Sequence, residues 1–521
     1  MRLRTLLATL FPLWASAESP ALATTIRVPA DQPTIQAALN VAGTGDVVLV
    51  APGTYSGPGN HNLDFLGKDL TLRSEAGAQS TIIDGSGTDR AFYFHSGESG
   101  QALVEGFTIQ NTYAMEGGAF FIMAASPSIL DCVIRANIAD QIGGGAYCLE
   151  SAASFTRCHI YDNQAGFVGG LYFEDSTPSL MYCTFQWNSG RQAVGGVAVR
   201  RQGKATIQDC IFNLNHASVQ GGSGGGMLVD ESEVTLARCS FNSNRAAAGG
   251  AMAVSGSTML VADCMFIENE VFDSIGPTAN GGAISSGAST MIIQRCEFRG
   301  NKVFGCDDDL VRGGAIASGD VSLVISECLF QDNAIQCGSP LPAMGGALFV
   351  AGSPEISDCV FFRNHAPMGS AIHVSAFDNS FQPTLARCTF TLNSAIAGGT
   401  IHLRGGAALT ARHSIIAFNA EGAAIQCEDQ SSATLSCCDV FGNAGGDWTG
   451  CIAGQQQLAG NLALDPLFCD RQNGVLSLHA SSPCAPGNAG YCGLIGALPV
   501  DCVVQAVTPS TWGRIKAAYS R

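Results

Sequence analysis

Three groups of side chains have the types and spacing that chemistry requires. The first is Glu174-Asp175, Arg200-Arg201 and Asp230-Glu231, which occupy equivalent places after successive glycine pairs. If those places stack in neighbouring turns, carboxylates two turns apart stand about 9–10 Å from each other, near the upper end of the separation used by inverting glycosidases. The interposed arginines offer a plainer reading, an alternating charge ladder. Opposite charges beside a carboxyl lower its pKa, whereas a general acid needs its pKa raised.

The second group is His373 and His402, whose 29-residue step equals that from Cys359 to Cys388. This puts two imidazoles in stacked positions on one strand face, with Gln426 next in line. Such a pair can act as acid, base or binding residues, although without a carboxylate in the same column it also suits hydrogen-bonded packing. The third group is Asp273 and Asp307-Asp308-Asp309, with Arg312 nearby, on consecutive long insertions. Oxygen-only ligands in a loop suit Ca2+. The Asp-x-Asp-x-Asp-Gly spacing is absent, however, and an acidic loop on an acidic protein is commonly just solvated. The sequence requires no cofactor. Cys306 and Cys337 lie five and four residues beyond Asn301 and Asn333, on loops expected to stack, and a disulfide is predicted between them. By chain entropy it would contribute ~3–4 kcal/mol before strain.

The element that must position these groups is a repeat. From Gly106 onward, Cys-x-aromatic/aliphatic-x-x-Asn recurs, followed by Gly-Gly-small-aliphatic. Its Asn members run from Asn111, Asn137, Asn163 and Asn188 to Asn443 in steps of 24 to 32 residues. That is too short for a domain with its own core, so each repeat must bury its apolar face against its neighbours. Period-two patterns such as Cys239-Ser240-Phe241 assign strand, with Cys and Phe on one face. Gly pairs such as Gly249-Gly250 suit a bend with positive φ or a close backbone approach. The Asn suits a left-handed corner, where its amide can also bond the same amide one repeat away. Ten cysteines from Cys132 to Cys388 share one repeat position. They read as an inward stack of free thiols, because in-register neighbours do not aim their Cβ atoms at each other and no metal spacing occurs. The result is a parallel β-solenoid, whose thirteen Asn-marked turns would make a rod of roughly 60 Å before its caps.

Gly281-Gly282-Ala283-Ile284 and Gly313-Gly314-Ala315-Ile316, with Phe212-x-x-Asn215, Phe241-x-x-Asn244 and Phe390-x-x-Asn393, resemble the repeats of polymorphic outer-membrane-protein passengers. The wider kinship implied is the pectin-lyase-like right-handed parallel β-helix superfamily. Pro33 to Leu39 and then Gly45 to Tyr55 resemble the opening of its secreted members, and Asp465-Pro466-Leu467-Phe468 with Ser482-Pro483-Cys484 resembles their closing segment. The resemblance implies an all-β fold: a single right-handed parallel β-helix from about Thr25 to Leu498, with an N-terminal helical cap and a Cys-containing C-terminal cap. Ile35, Ala38, Leu39 and Ala42 would share one face of that helix. The superfamily hosts lyases, hydrolases and adhesins, so no activity is implied. Its lyases use acidic residues with Arg, which keeps the Glu174 to Glu231 group in view. No long alternating region remains for a membrane barrel of ~8 or more strands.

Composition narrows the partners. A net charge of −17 and only four Lys among 521 residues argue against nucleic acid, which needs clustered cations. Residues 1–23 read as a secretory signal, cleaved after Ala17 or Ala23, and no later run is long and apolar enough for a membrane span. The expected organisation is an N-terminal cap and first coils over 24–105, repeats over 106–443, last coils and cap over 444–498, and a tail over 499–521. The expected protein is secreted or surface-exposed and non-catalytic, presenting a rigid surface for adhesion or polysaccharide binding to an extracellular glycan or a cell surface. The alternatives are a polysaccharide lyase or glycoside hydrolase acting on acidic glycans, and a purely structural surface protein.

Overall fold

The computed structural model describes residues 23–218, 221–272, 281–304, 311–320, 322–336, 343–376 and 381–502. One turn illustrates the whole. Lys204–Gln208 lies in a first sheet, Ile211–Asn213 in a second, His216–Ala217 in a short sheet and Met227–Asp230 in a third, after which Glu233–Ala237 re-enters the first. Each strand pairs in parallel with its counterpart one turn on: Ile207 with Leu236, Phe212 with Phe241, Val229 with Val254. Among the described residues these sheets hold 16, 15, 9 and 13 strands. The chain is the expected parallel β-solenoid.

The interior follows from the repeat. With strands about 4.8 Å apart, identical inward residues must stack. Phe185, Phe212, Phe241, Phe266, Phe298, Phe330, Phe361 and Phe390 do so with ring centroids 4.4–5.1 Å apart and planes within 10°. From Cys183 to Cys328, each backbone N–H donates to the Sγ of the next cysteine in the column at 3.4–3.5 Å. These thiols are free and buried. At the bend, Gly249 has φ +59°, and a Cβ there would lie 2.2 Å from the Met252 carbonyl oxygen. Backbone cannot yield, so the position demands glycine.

The asparagines form a buried ladder from Asn137 to Asn443. Each Nδ2 donates to the Oδ1 of the next Asn, as from Asn215 to Asn244 at 3.0 Å, and to a carbonyl one turn back, as from Asn215 to Phe185 at 2.9 Å. Two expectations are corrected here. The left-handed corner is occupied by the residue before each ladder Asn, including Ala136, Asp162, Trp187, Leu214, Ser243 and Glu268, with φ near +53°. The Asn itself must turn inward to reach the next amide. Asn111 is outside the ladder: it takes the corner conformation, and Thr112 Oγ1 donates to Asn137 Oδ1 at 2.7 Å in its stead.

At the N-terminal end a helix spans Ile35–Val41, with Thr34 accepting from the Ala37 N–H and with Ile35, Ala38 and Leu39 buried. At the other end, Gln455 accepts from the Leu435 N–H and Asn461 from the Cys438 N–H, which satisfies donors that a next turn would have used. Disulfides join Cys427 to Cys451, Cys437 to Cys492 and Cys469 to Cys502. The segment 468–498 then runs back along the outer face of the second sheet. Gly496 N–H donates to the His413 carbonyl at 2.7 Å, and Ala497 N–H to Thr389 Oγ1 at 3.0 Å. Among the described residues no helix is long and apolar enough to cross a membrane.

Candidate functional site

The acid and arginine group lies where the third sheet ends. Glu174, Arg200 and Asp230 are the last residues of Leu171–Glu174, Val197–Arg200 and Met227–Asp230, in direct register. The stacking read from the sequence therefore brings them together. Asp175, Arg201 and Glu231 follow as exposed residues in left-handed corners. Glu174 is 5% exposed; its Oε2 accepts from the Tyr147 hydroxyl at 2.7 Å, and its Oε1 pairs with Arg201. Arg200 donates to Asp230 through Nε at 2.9 Å and Nη2 at 2.8 Å. Burial lowers the Arg200 pKa, but the Asp230 hydrogen bond together with the interactions of Tyr172 and the Asp230 charge outweighs it and holds the guanidinium above its ordinary value. Glu174 and Asp230 are thus both held by arginine.

Beside this ladder runs a column of rings, set by the same register. Tyr93, Phe121, Tyr147 and Tyr172 are stacked neighbours on the outer face of the third sheet, with successive centroids 5.3–5.5 Å apart. Arg90 lies 4.8 Å over Phe121 and Arg200 5.2 Å over Phe167. Overlying segments pack Val168, Ala193 and Val194 against the tyrosines. Burial is the main reason the Tyr147 phenol is pushed up to about 12. A cavity of about 520 Å³ opens between the column and the ladder, walled by Gln141, Tyr147, Phe167, Tyr172, Gln192 and Arg201 among others. Its walls offer the half-buried Phe167 ring, amides, and charges already paired, which suit holding a polyhydroxylated chain.

His373 and His402 are stacked as expected, with ring centroids 4.9 Å apart and Gln426 opposite His402. Both are fully buried. Burial drives the His373 pKa well below its ordinary value, and the neighbouring His402 adds to this. His402 is also lowered by burial, against the pull of Glu428, whose Oε2 lies 3.5 Å from Nε2. Phe349 stacks on His373 from the other side at 5.5 Å. The pair therefore stands in a closed aromatic column. Asp273, Asp307, Asp308 and Asp309, proposed for Ca2+, and the Cys306 to Cys337 pairing lie outside the described residues. Among the described residues no three His, Cys, Asp or Glu side chains are placed to hold a metal ion.

Sequence reasoning passed over a second cavity, of about 750 Å³, at the corner beside the Asn ladder. Trp187 and Leu214 form its shelf. The available signal was the position just before each ladder Asn.

Comparison with known proteins adds the following. A family model described as right handed beta helix region matches residues 91–264, 144–338 and 279–449. Metabotropic glutamate receptor-like protein R of Dictyostelium discoideum is 30% identical over 166 residues, 31% of this chain and 10% of that protein. The match thus spans about a tenth of that relative's length. Among solved structures, the catalytic unit of a GH87 alpha-1,3-glucanase from Streptomyces thermodiastaticus is 13% identical, with 84% of this chain and 72% of that one covered and a TM-score of 0.29. Pectate lyase Pel9A is 12% identical, with 92% and 96% covered and a TM-score of 0.23. Scores this low carry no argument.

Proposed function

We propose that this chain, which belongs to the right-handed beta-helix family, is a secreted or surface-exposed protein that binds polysaccharide without cleaving it. Membership in the family fixes a fold and leaves activity to be argued from the site. The observation that carries the reading is the state of the two stacked carboxylates. Glu174 is occupied by Tyr147 and Arg201, and Asp230 by Arg200, so neither is a free general acid or base. The cavity beside them offers the half-buried Phe167 ring and hydrogen-bonding groups instead. Three disulfides among the described residues favour an oxidising compartment, and the resemblance of the repeats to outer-membrane-protein passengers points to the same address.

The test is a screen of the full chain against acidic and neutral polysaccharides, scoring retention and new chain ends together, with Asp230→Asn and Arg201→Ala alongside. Retention without new ends, weakened in Arg201→Ala, is expected. Turnover that disappears in Asp230→Asn would overturn the non-catalytic reading and restore the lyase or hydrolase alternative.

A further inference from the structure

We propose that the corner shelf formed by Trp187 and Leu214 is a second binding site, separate from the ring column, for a neutral oligosaccharide. The observation behind it is a pattern along one column. The residues just before the ladder asparagines stand at the outer corner of every turn in the left-handed conformation. Most are small, polar or charged, as are Ala136, Asp162, Ser243, Glu268, Asp332 and Arg363. Large apolar side chains occur in two places. Leu392 and Phe418 are covered by the chain itself: Leu392 packs with the cluster around Leu476, and Phe418 lies against Phe468 and under the Arg471 guanidinium, 3.6 Å from its centroid. Trp187 and Leu214, one turn apart by the register of Gln186 with Asn213, are 54% and 40% exposed.

The cavity beside that shelf states the chemistry of what would cover it. Its wall carries Arg245 paired to Glu270 at 2.6 Å, with His216 one turn before and Lys302 one turn after in the same column. Glu268 and Asp332 complete the charges, two cations against three carboxylates. A wall with a slight negative excess, on a chain of net charge −17, repels a polyanion. It is rich in donors and acceptors for hydroxyl groups, beside an indole face on which a pyranose ring can lie. A neutral glycan chain meets both demands. Successive turns repeat the wall about every 4.8 Å, so a linear oligosaccharide can run along the corner.

Affinity electrophoresis of the full chain tests this, with laminarin, hydroxyethylcellulose and xyloglucan as neutral probes and polygalacturonate as the charged control. Retardation by at least one neutral polymer is expected. Trp187→Ala should weaken it by about tenfold or more, the loss typical of a binding hot spot, Trp187→Phe should retain part of it, and Lys204→Ala, an exposed change on the first sheet away from both cavities, should leave it unchanged. Retardation by no neutral polymer, or equal retardation of wild type and Trp187→Ala, would overturn the proposal. So would loss in Arg201→Ala alone, which assigns binding to the ring column. Sedimentation of both proteins covers the remaining occupant: a wild-type dimer that becomes monomeric in Trp187→Ala would give the shelf to a second copy and also overturn the proposal.

Discussion

The outer face of the second sheet is one continuous surface with two fates. From Val360 to Asp439 its outward residues, including Phe362, Thr389, Ile415 and Asp439, are buried, because segment 468–498 lies across them. From Thr184 to Gln331 the outward residues are mainly polar, with Gln186, Asn213, Asn242 and Arg299 half-buried or exposed. Inside the coil the two halves are alike: the Asn ladder passes through both, and the Phe stack runs on to Phe390 before Ile416 and Val440 continue its column. What differs most is the outward set of side chains. A parallel coil therefore uses its inward positions to exist and its outward positions to decide what covers it, its own chain or something else.

The largest expected effect lies in the covered half. Phe362→Ala removes a ring that is 3% exposed and packed with Val360 and Leu476, and should cost about 3–5 kcal/mol in chemical denaturation. A cost near zero would mean that the segment does not pack as described. Next comes the staple of that segment. Replacing Cys437 and Cys492 by Ala, a bridge with a sequence separation of 55, should remove about 2–4 kcal/mol, and reductant, which opens the other bridges too, should lower the wild-type melting temperature at least as far as this double substitution does.

A third effect is of pH. Asp439, beneath the segment and accepting from Cys484 Sγ at 3.2 Å, has its pKa raised to about 6, mainly by burial. Its folded pKa lies above the unfolded value near 3.9. Its contribution is therefore complete below about pH 4 and lost as pH rises through about 6. Asp439→Asn should raise the melting temperature at pH 7.5 and leave it nearly unchanged at pH 4; an equal shift at both would contradict the assignment. Smallest is the open half: Trp187→Ala should change stability by no more than about 0.5 kcal/mol, which leaves its effect on binding readable.

The columns were legible because stacking forces a period. The Cys and Asn steps place the two histidines, and Glu174, Arg200 and Asp230, in register without any structure. The left-handed corners were misplaced by one residue because side chains such as Trp187, Leu214 and Phe418 hold them, and none of these types advertises positive φ. The facing of Tyr147 and Tyr172 was hidden by a strand such as Leu171–Glu174, buried at every position. Strands covered on both faces lose the alternation that reveals direction. The covering segment was legible only as a break in the repeat. Its partners lie about a hundred residues away, as Ala497 does from Thr389, and no local pattern encodes such a contact.

The claim that joins these parts is that this surface holds polysaccharide and leaves it whole. Size-exclusion chromatography with light scattering, on the full chain incubated with a long soluble polysaccharide from the screen, reads binding and cleavage in one trace. A polymer peak of unchanged mass that carries the protein with it is the predicted result. A polymer mass that falls with time, or a protein peak that no polymer moves, would contradict it.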